Sequence, residues 1–159
     1  MLLGQEQIHG DQYLTFVLAG EEYAVDILRV QEIRGWSPVT RIPNTPDYMK
    51  GVLNLRGAII PVVDLRERFG LPQKAYDATT VVVVLWVNAD DHQRCMGVVV
   101  DAVADTCHIS VDQIRPAPLM DGGIPQEYLS GLATQEEKMI IMLDIDGLMN
   151  AGDLIGVDE

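Results

Sequence analysis

Apolar positions along this chain fall in short, β-branched runs separated by turn residues at fairly regular spacing, which predicts many short strands rather than long helices. QYLTFVLAG (12–20) alternates apolar and polar positions and ends at a Gly-Glu-Glu turn, and EYAVDI (22–27) answers it, which predicts a hairpin. In ILRVQEIRGW (27–36), Ile27, Val30 and Ile33 stand three apart. That spacing predicts a short amphipathic turn of helix bending into an extended segment, with Arg29, Gln31 and Glu32 facing outward. RIPNTPDY (41–48) holds two prolines within four residues and reads as a rigid connection, not a central strand. TTVVVVLWV (79–87) and CMGVVVDAV (95–103) predict a second hairpin around the turn NADDHQR (88–94). RPAPLMDGGIPQ (115–126) is the longest expected loop, and EKMIIMLDIDGLMN (137–150) reads as a strand followed by a short helix. Residues 12–150 are expected to form one unit flanked by tails at 1–11 and 151–159.

The pattern repeats. YMKGVLNLRGAIIPVVDLRERF (48–69) lies over YLSGLATQEEKMIIMLDIDGLM (128–149) at a constant offset of 80, matching Tyr48 with Tyr128, Gly51 with Gly131, Ile60 with Ile140 and Asp64 with Asp144. A weaker echo at an offset of 73 relates YAVDILRVQE (23–32) to MGVVVDAVAD (96–105). A duplicated chain forming two related small β-barrels explains both offsets and disposes of exposed strand edges by closure. The expected class is therefore all-β with short helices.

Composition narrows the function. The longest apolar run, VVVVLWV, has a strand's length and is far short of a membrane-spanning helix. The N-terminus lacks the basic flank, apolar centre and small-residue cleavage site of a secretory signal, so a cytoplasmic location without membrane insertion is expected. Cys95 and Cys107 match no CxxC pair or disulfide framework. A net charge of −13 argues against nucleic acid, but the charge is uneven. Residues 27–74 hold eight basic and four acidic side chains, while the rest of the chain holds three and twenty. Such asymmetry steers a protein partner onto one face.

Candidate chemistry is sparse. In the run GVLNLRGAIIPVVDL (51–65), Arg56-Gly57 interrupts an otherwise apolar stretch, and the second copy has Glu136-Glu137 in its place. The hairpin thus requires polar turn residues but not arginine, whose planar fork of donors suits a carboxylate or carbonyl partner. Gly57 permits a positive φ at the turn. Asp64 and Asp144 are repeat-related, and as a pair they are the one arrangement here that suggests an acid/base dyad and a hydrolase. Each, however, ends an apolar run before a short helical pattern, where Asp is a favoured N-cap. His9, His92 and His108 are scattered without metal-ligand spacing, and LDID (143–146) lacks the calcium-loop pattern, so neither metal nor cofactor is expected.

Taken in order, EEYAVDILRVQEIRG, VTRIPNTPDYMKGVLNLRGAIIPVVDLRERF, GVVVDAV and QIRPAP strongly resemble the CheW family of bacterial chemotaxis coupling proteins, over residues 12 to 150. The resemblance implies two intertwined five-stranded SH3-like barrels and a non-enzymatic adaptor. It implies two partners: the cytoplasmic tips of methyl-accepting chemoreceptors and the regulatory domain of the histidine kinase CheA. By motif it places partner contacts at Asn54, Arg56 and Gly57 in NLRG, at Val30 and Glu32 in VQEI, and at Gly51 in KGV. It also implies a shallow apolar groove between the barrels that takes a receptor helical hairpin. The length leaves no room for a fused receiver or kinase domain, which separates the expectation from CheV and CheA; an adaptor of a related non-flagellar pathway is the other reading within the fold.

Overall fold

The computed structural model describes residues 12–89, 92–118 and 126–149. The terminal tails, His9, the centre of the loop after residue 118 and Asp90-Asp91 lie outside the described residues. Among the described residues, eleven strands form two sheets. A central sheet is built from one continuous stretch: β3 (Val30–Gly35), β4 (Met49–Leu55), β5 (Ala58–Asp64), β6 (Val81–Asn88) and β7 (Gln93–Val100). Its order is β3-β6-β7-β5-β4. The other sheet draws on both ends of the chain: β1 (Gln12–Leu18) and β2 (Glu21–Asp26) join β8 (Ala102–His108), β9 (Ile114–Arg115), β10 (Leu129–Gln135) and β11 (Lys138–Leu143). Its order is β8-β1-β2-β11-β10-β9. The two-residue β9 makes this terminal sheet six-stranded where five were expected.

The duplication holds at the level of register. β4 and β5 pair with a bulge between Met49 and Gly51, and β10 and β11 pair with one between Leu129 and Gly131, 80 residues on. The parallel pair Val62↔Gly97 is matched by Met142↔Ala24, combining offsets of 80 and 73. The bulge that separates Val30↔Leu85 from Glu32↔Val84 recurs between Phe16↔Val103 and Thr15↔Asp105, again 73 apart. The copies are exchanged. Each sheet combines the first two strands of one repeat with the remaining principal strands of the other, so β2 runs beside β11 and β7 beside β5.

Both sheets roll up. β3 and β4 stand at opposite ends of the central order, yet Thr40 bridges to Val52 and Arg56 reaches Glu32. In the terminal sheet, Gln135 Nε2 likewise donates to the carbonyl of His108 at 2.5 Å. Rolling creates three apolar regions. Leu55, Ile60, Val62, Val82, Val84 and Val99 fill the central barrel; Ala24, Ile109, Ala133, Ile140 and Met142 fill the terminal one. The largest cluster, including Leu14, Phe16, Val83, Leu85, Val98 and Met149, lies between the two sheets. This explains why VVVVLWV lacks alternation: Val82 and Val84 face the barrel interior while Val83, Leu85 and Val87 face the shared core. Full burial of each such side chain contributes about 1.5–3 kcal/mol.

Short helices follow β5 and β11: α1 (Leu65–Arg68) and α2 (Ile145–Met149). The Arg68 guanidinium lies 4.9 Å from the ring centroids of both Tyr48 and Tyr128, the repeat-related pair, and donates to Tyr128 Oη at 2.6 Å. A second tie joins the sheets at Arg29, which was expected to face solvent. It instead makes a two-pronged ion pair with Asp146 at 2.7 and 2.8 Å, because α2 brings that carboxylate back from the far end of the chain. Ile33, expected to face inward with Val30, is 43% exposed. β3 is extended and its burial alternates strictly, so Ile33, three residues on from Val30, falls on the opposite face and the period of three does not continue along the strand.

Candidate partner-binding site

The hairpin β4–β5 turns on Arg56 (φ 51°) and Gly57 (φ 92°), a mirror-image two-residue turn that suits the twist of antiparallel strands. Asn54 fixes it by accepting the Gly57 amide on Oδ1 at 2.9 Å. Leu55 is drawn into the central barrel core, which leaves Arg56 projecting with 67% of its side chain exposed. Its guanidinium meets Glu32 Oε1 at 2.7 Å, and the other Glu32 oxygen faces Arg34 at 3.6 Å. An exposed ion pair of this kind contributes little to stability, on the order of 0–1 kcal/mol, so its placement calls for another reason.

Beside Arg56 a cleft of about 630 Å³ is lined by Gln31, Leu55, Ile59, Trp86 and Arg94, among others. Ile59 is 63% exposed, and Trp86 is partly exposed. The Cys95 thiol donates to Gln31 Oε1 at 2.6 Å, and burial pushes that thiol's pKa up, which disfavours the thiolate. The cleft belongs wholly to the central barrel, whereas the groove had been expected between the two barrels, where the main apolar cluster now lies. An apolar floor with a basic rim fits a protein surface carrying apolar and acidic side chains.

Of the six candidate positions, Glu32, Asn54, Arg56 and Gly57 form one hydrogen-bonded group. Val30 precedes Glu32 on β3 but is half-buried and packs against the main core. Gly51 has a backbone reason of its own: its φ is +147°, and a Cβ there would run into the carbonyl of Thr40. Gly131 repeats this with φ +152° and the carbonyl oxygen of Arg115 2.7 Å from where a Cβ would stand. Arg34, Ile59 and Trp86 were missed by sequence reasoning. Ile59 had one available signal, its repeat partner Met139, which is 55% exposed at the equivalent place.

Asp64 and Asp144 act as caps. Asp64 Oδ1 accepts the Glu67 amide at 3.2 Å, and its other oxygen accepts from Tyr76 Oη. Asp144 Oδ1 accepts the Gly147 amide at 3.0 Å. Among the described residues no hydrogen bond joins the two, and each serves its own helix in its own sheet, which removes the basis for a dyad.

Two exchanged barrels with a charged turn over an apolar cleft define a duplicated β-barrel binding module. The CheW-like domain family matches residues 12–153. The chain is 48% identical over 150 residues to the chemotaxis protein CheW of Klebsiella aerogenes, covering 94% of this chain and 88% of that protein. It is 31% identical to the Treponema pallidum chemotaxis protein CheW, covering 97% of this chain and 89% of that one. Among solved structures, the scaffolding protein TtCheW from Thermoanaerobacter tengcongensis superposes with a TM-score of 0.81 at 31% identity, covering 90% of this chain and 94% of that chain. The chain belongs to the CheW family.

Proposed function

We infer that the chain is a non-enzymatic chemotaxis adaptor, acting in the cytoplasm and coupling methyl-accepting chemoreceptors to a CheA-type histidine kinase. It reaches membrane-associated arrays through these partners. The observation that carries this reading is the Arg56–Glu32 pair. It lies on an exposed turn beside an apolar cleft, contributes little to stability, and is absent from the second copy of the same hairpin, which has Glu136. The fold does not require Arg56; recognition of an acidic or carbonyl-bearing partner does.

The test is Arg56→Glu, assayed by pull-down with a chemoreceptor signalling tip and with CheA, alongside receptor-coupled kinase phosphorylation. The variant is expected to keep its melting temperature and to lose association, because the reversed charge faces Glu32 and the partner. A folded variant that binds both partners unchanged overturns the role given to Arg56. Glu32→Lys should also alter binding with little loss of stability, and a sharp fall in its melting temperature would make Glu32 structural.

A further inference from the structure

Both copies of the repeat have a depression beside the capping aspartate, and the two have diverged. The one at Asp144 is about 210 Å³. The one at Asp64 is about 690 Å³ and shares no lining residue with the cleft beside Arg56. At offset 80, Lys50 and Arg66 of the large cleft correspond to Ser130 and Asp146, so the second copy keeps the cap and loses these two cations, and the one cation lining its depression, Arg29, is committed to Asp146. At offset 73, Trp36 corresponds to Ile109, which is fully buried. The fold therefore demands the aspartate, and everything else about the large cleft is additional.

What has been added is specific. Trp36 and Tyr76 form a T-shaped pair, with centroids 4.6 Å apart, against Val39. Burial, followed by the hydrogen bond to Asp64, pushes the Tyr76 phenol well above its usual pKa, so it stays a donor fixed on the carboxylate. Three of the four cations lining the cleft already have partners: Lys50 with Glu67 at 2.6 Å, Arg66 with Asp101 at 2.9 Å, and Lys74 with Asp77 at 3.1 Å. Arg41 is exposed, and among the described residues it makes no hydrogen bond or ion pair.

We propose that this cleft is a second docking site, separate from the Arg56 face, for a short peptide segment carrying one acidic residue flanked by apolar side chains. One uncommitted guanidinium matches one carboxylate. The aromatic pair and Val39 supply the apolar wall on which flanking Leu or Pro side chains pack. A polyphosphate fits less well, since Asp64 and Glu67 line the same cleft and the other cations are neutralised.

The chain has two tryptophans, so Trp86→Phe leaves Trp36 as a single fluorophore within the cleft. That protein is titrated with N-acetyl tetrapeptide amides carrying Glu between Leu and Pro residues, with the same peptides carrying Lys, and with ATP. The expected result is a saturable change in Trp36 emission with the Glu peptides only. Arg41→Ala should weaken it about tenfold, as loss of a charge-assisted hydrogen bond does. Arg56→Glu should leave it unchanged, whether or not that variant loses receptor and kinase binding. No saturable change with the Glu peptides, an equal response to the Lys peptides, tighter binding of ATP, or indifference to Arg41→Ala would each overturn the proposal.

Discussion

The hairpins β4–β5 and β10–β11 share a register, a bulge and a mirror-image turn, yet the first carries Arg56-Gly57 where the second carries Glu136-Glu137. The shared features are those the backbone needs: a glycine in the bulge, an aspartate at the following helix and two residues with positive φ. The features that differ are exposed and charged, and they cluster on the central barrel. A protein that contains its own duplicate thus offers an internal control, in which common chemistry reports folding and divergent chemistry reports recognition.

The largest effect should come from attacking what the copies share. Gly51→Ala places a Cβ against the Thr40 carbonyl at a φ that L-residues avoid, and urea denaturation should register a loss of about 3 kcal/mol or more. Gly131→Ala should cost less, because its Cβ would stand 2.7 Å from the nearest backbone oxygen where that of Gly51 would stand at 2.2 Å. Near-native stability of Gly51→Ala would show that the bulge tolerates a side chain and that the shared glycine says nothing about folding.

Arg68 breaks the symmetry from inside, since its repeat partner is Leu148 while the two tyrosines around it are conserved between copies. Arg68→Leu should lower stability by about 1–3 kcal/mol through loss of the ring contacts and the Tyr128 hydrogen bond. A neutral or stabilising outcome would mean that burying the cation costs as much as the two rings return.

Acid should act next, through carboxylates that lie outside the shared hairpin. The Asp146 carboxyl is held below its ordinary pKa chiefly by the Arg29 hydrogen bond. At Asp101 burial pulls upward, but Arg66 and the Ala19 amide outweigh it and the pKa again falls. A depressed carboxyl contributes stability above its unfolded-state pKa and loses it as pH falls through the folded value, so this support is present above about pH 4 and drains away below it. Asp146→Asn should therefore melt earlier than the parent at pH 7, and the gap should narrow progressively as the pH is lowered below about 4. Curves that stay parallel over that range would separate Asp146 from acid stability.

The smallest shift tests the turns themselves. Glu137 holds φ 69° where the first copy has Gly57 at 92°. Glu137→Gly should raise stability by about 1 kcal/mol, and Gly57→Glu should lower it by a similar amount. Equal stabilities would show that the two turns relax differently and are not interchangeable.

Much of this arrangement was legible in the sequence, because a repeated core forces apolar positions to repeat. The offsets of 80 and 73 survive as registers and bulges, and Asp64 and Asp144 read correctly as caps. The exchange of strands was not legible, since likeness between copies does not say which copy pairs with which. Arg29 read as solvated because its partner, Asp146, is 117 residues away. Ile33 was misplaced because a helical period of three was read into a segment that is strand, where residues three apart face opposite sides. Comparing copies singled out Arg56 and Gly57, the family resemblance alone pointed to Asn54 and Glu32, and the cleft beneath them required Trp86 and Arg94 to arrive from a different hairpin.

Strand exchange also sets an order on biosynthesis. The central sheet is encoded without interruption from residue 30 to residue 100, so its hydrogen-bond partners all leave the ribosome together. β1 and β2 emerge earlier still and pair with each other, yet on the outer edge of β2 Glu22 meets its second neighbour only at Ile140, and Gln12 of β1 meets His108 of β8. Until the last segments are translated, the first hairpin is a two-stranded ribbon with both edges unpaired, marginal by itself and prone to stick to other nascent chains. The barrel that carries the candidate recognition chemistry is thus the one that closes early, while its partner waits for the C-terminal half of the message.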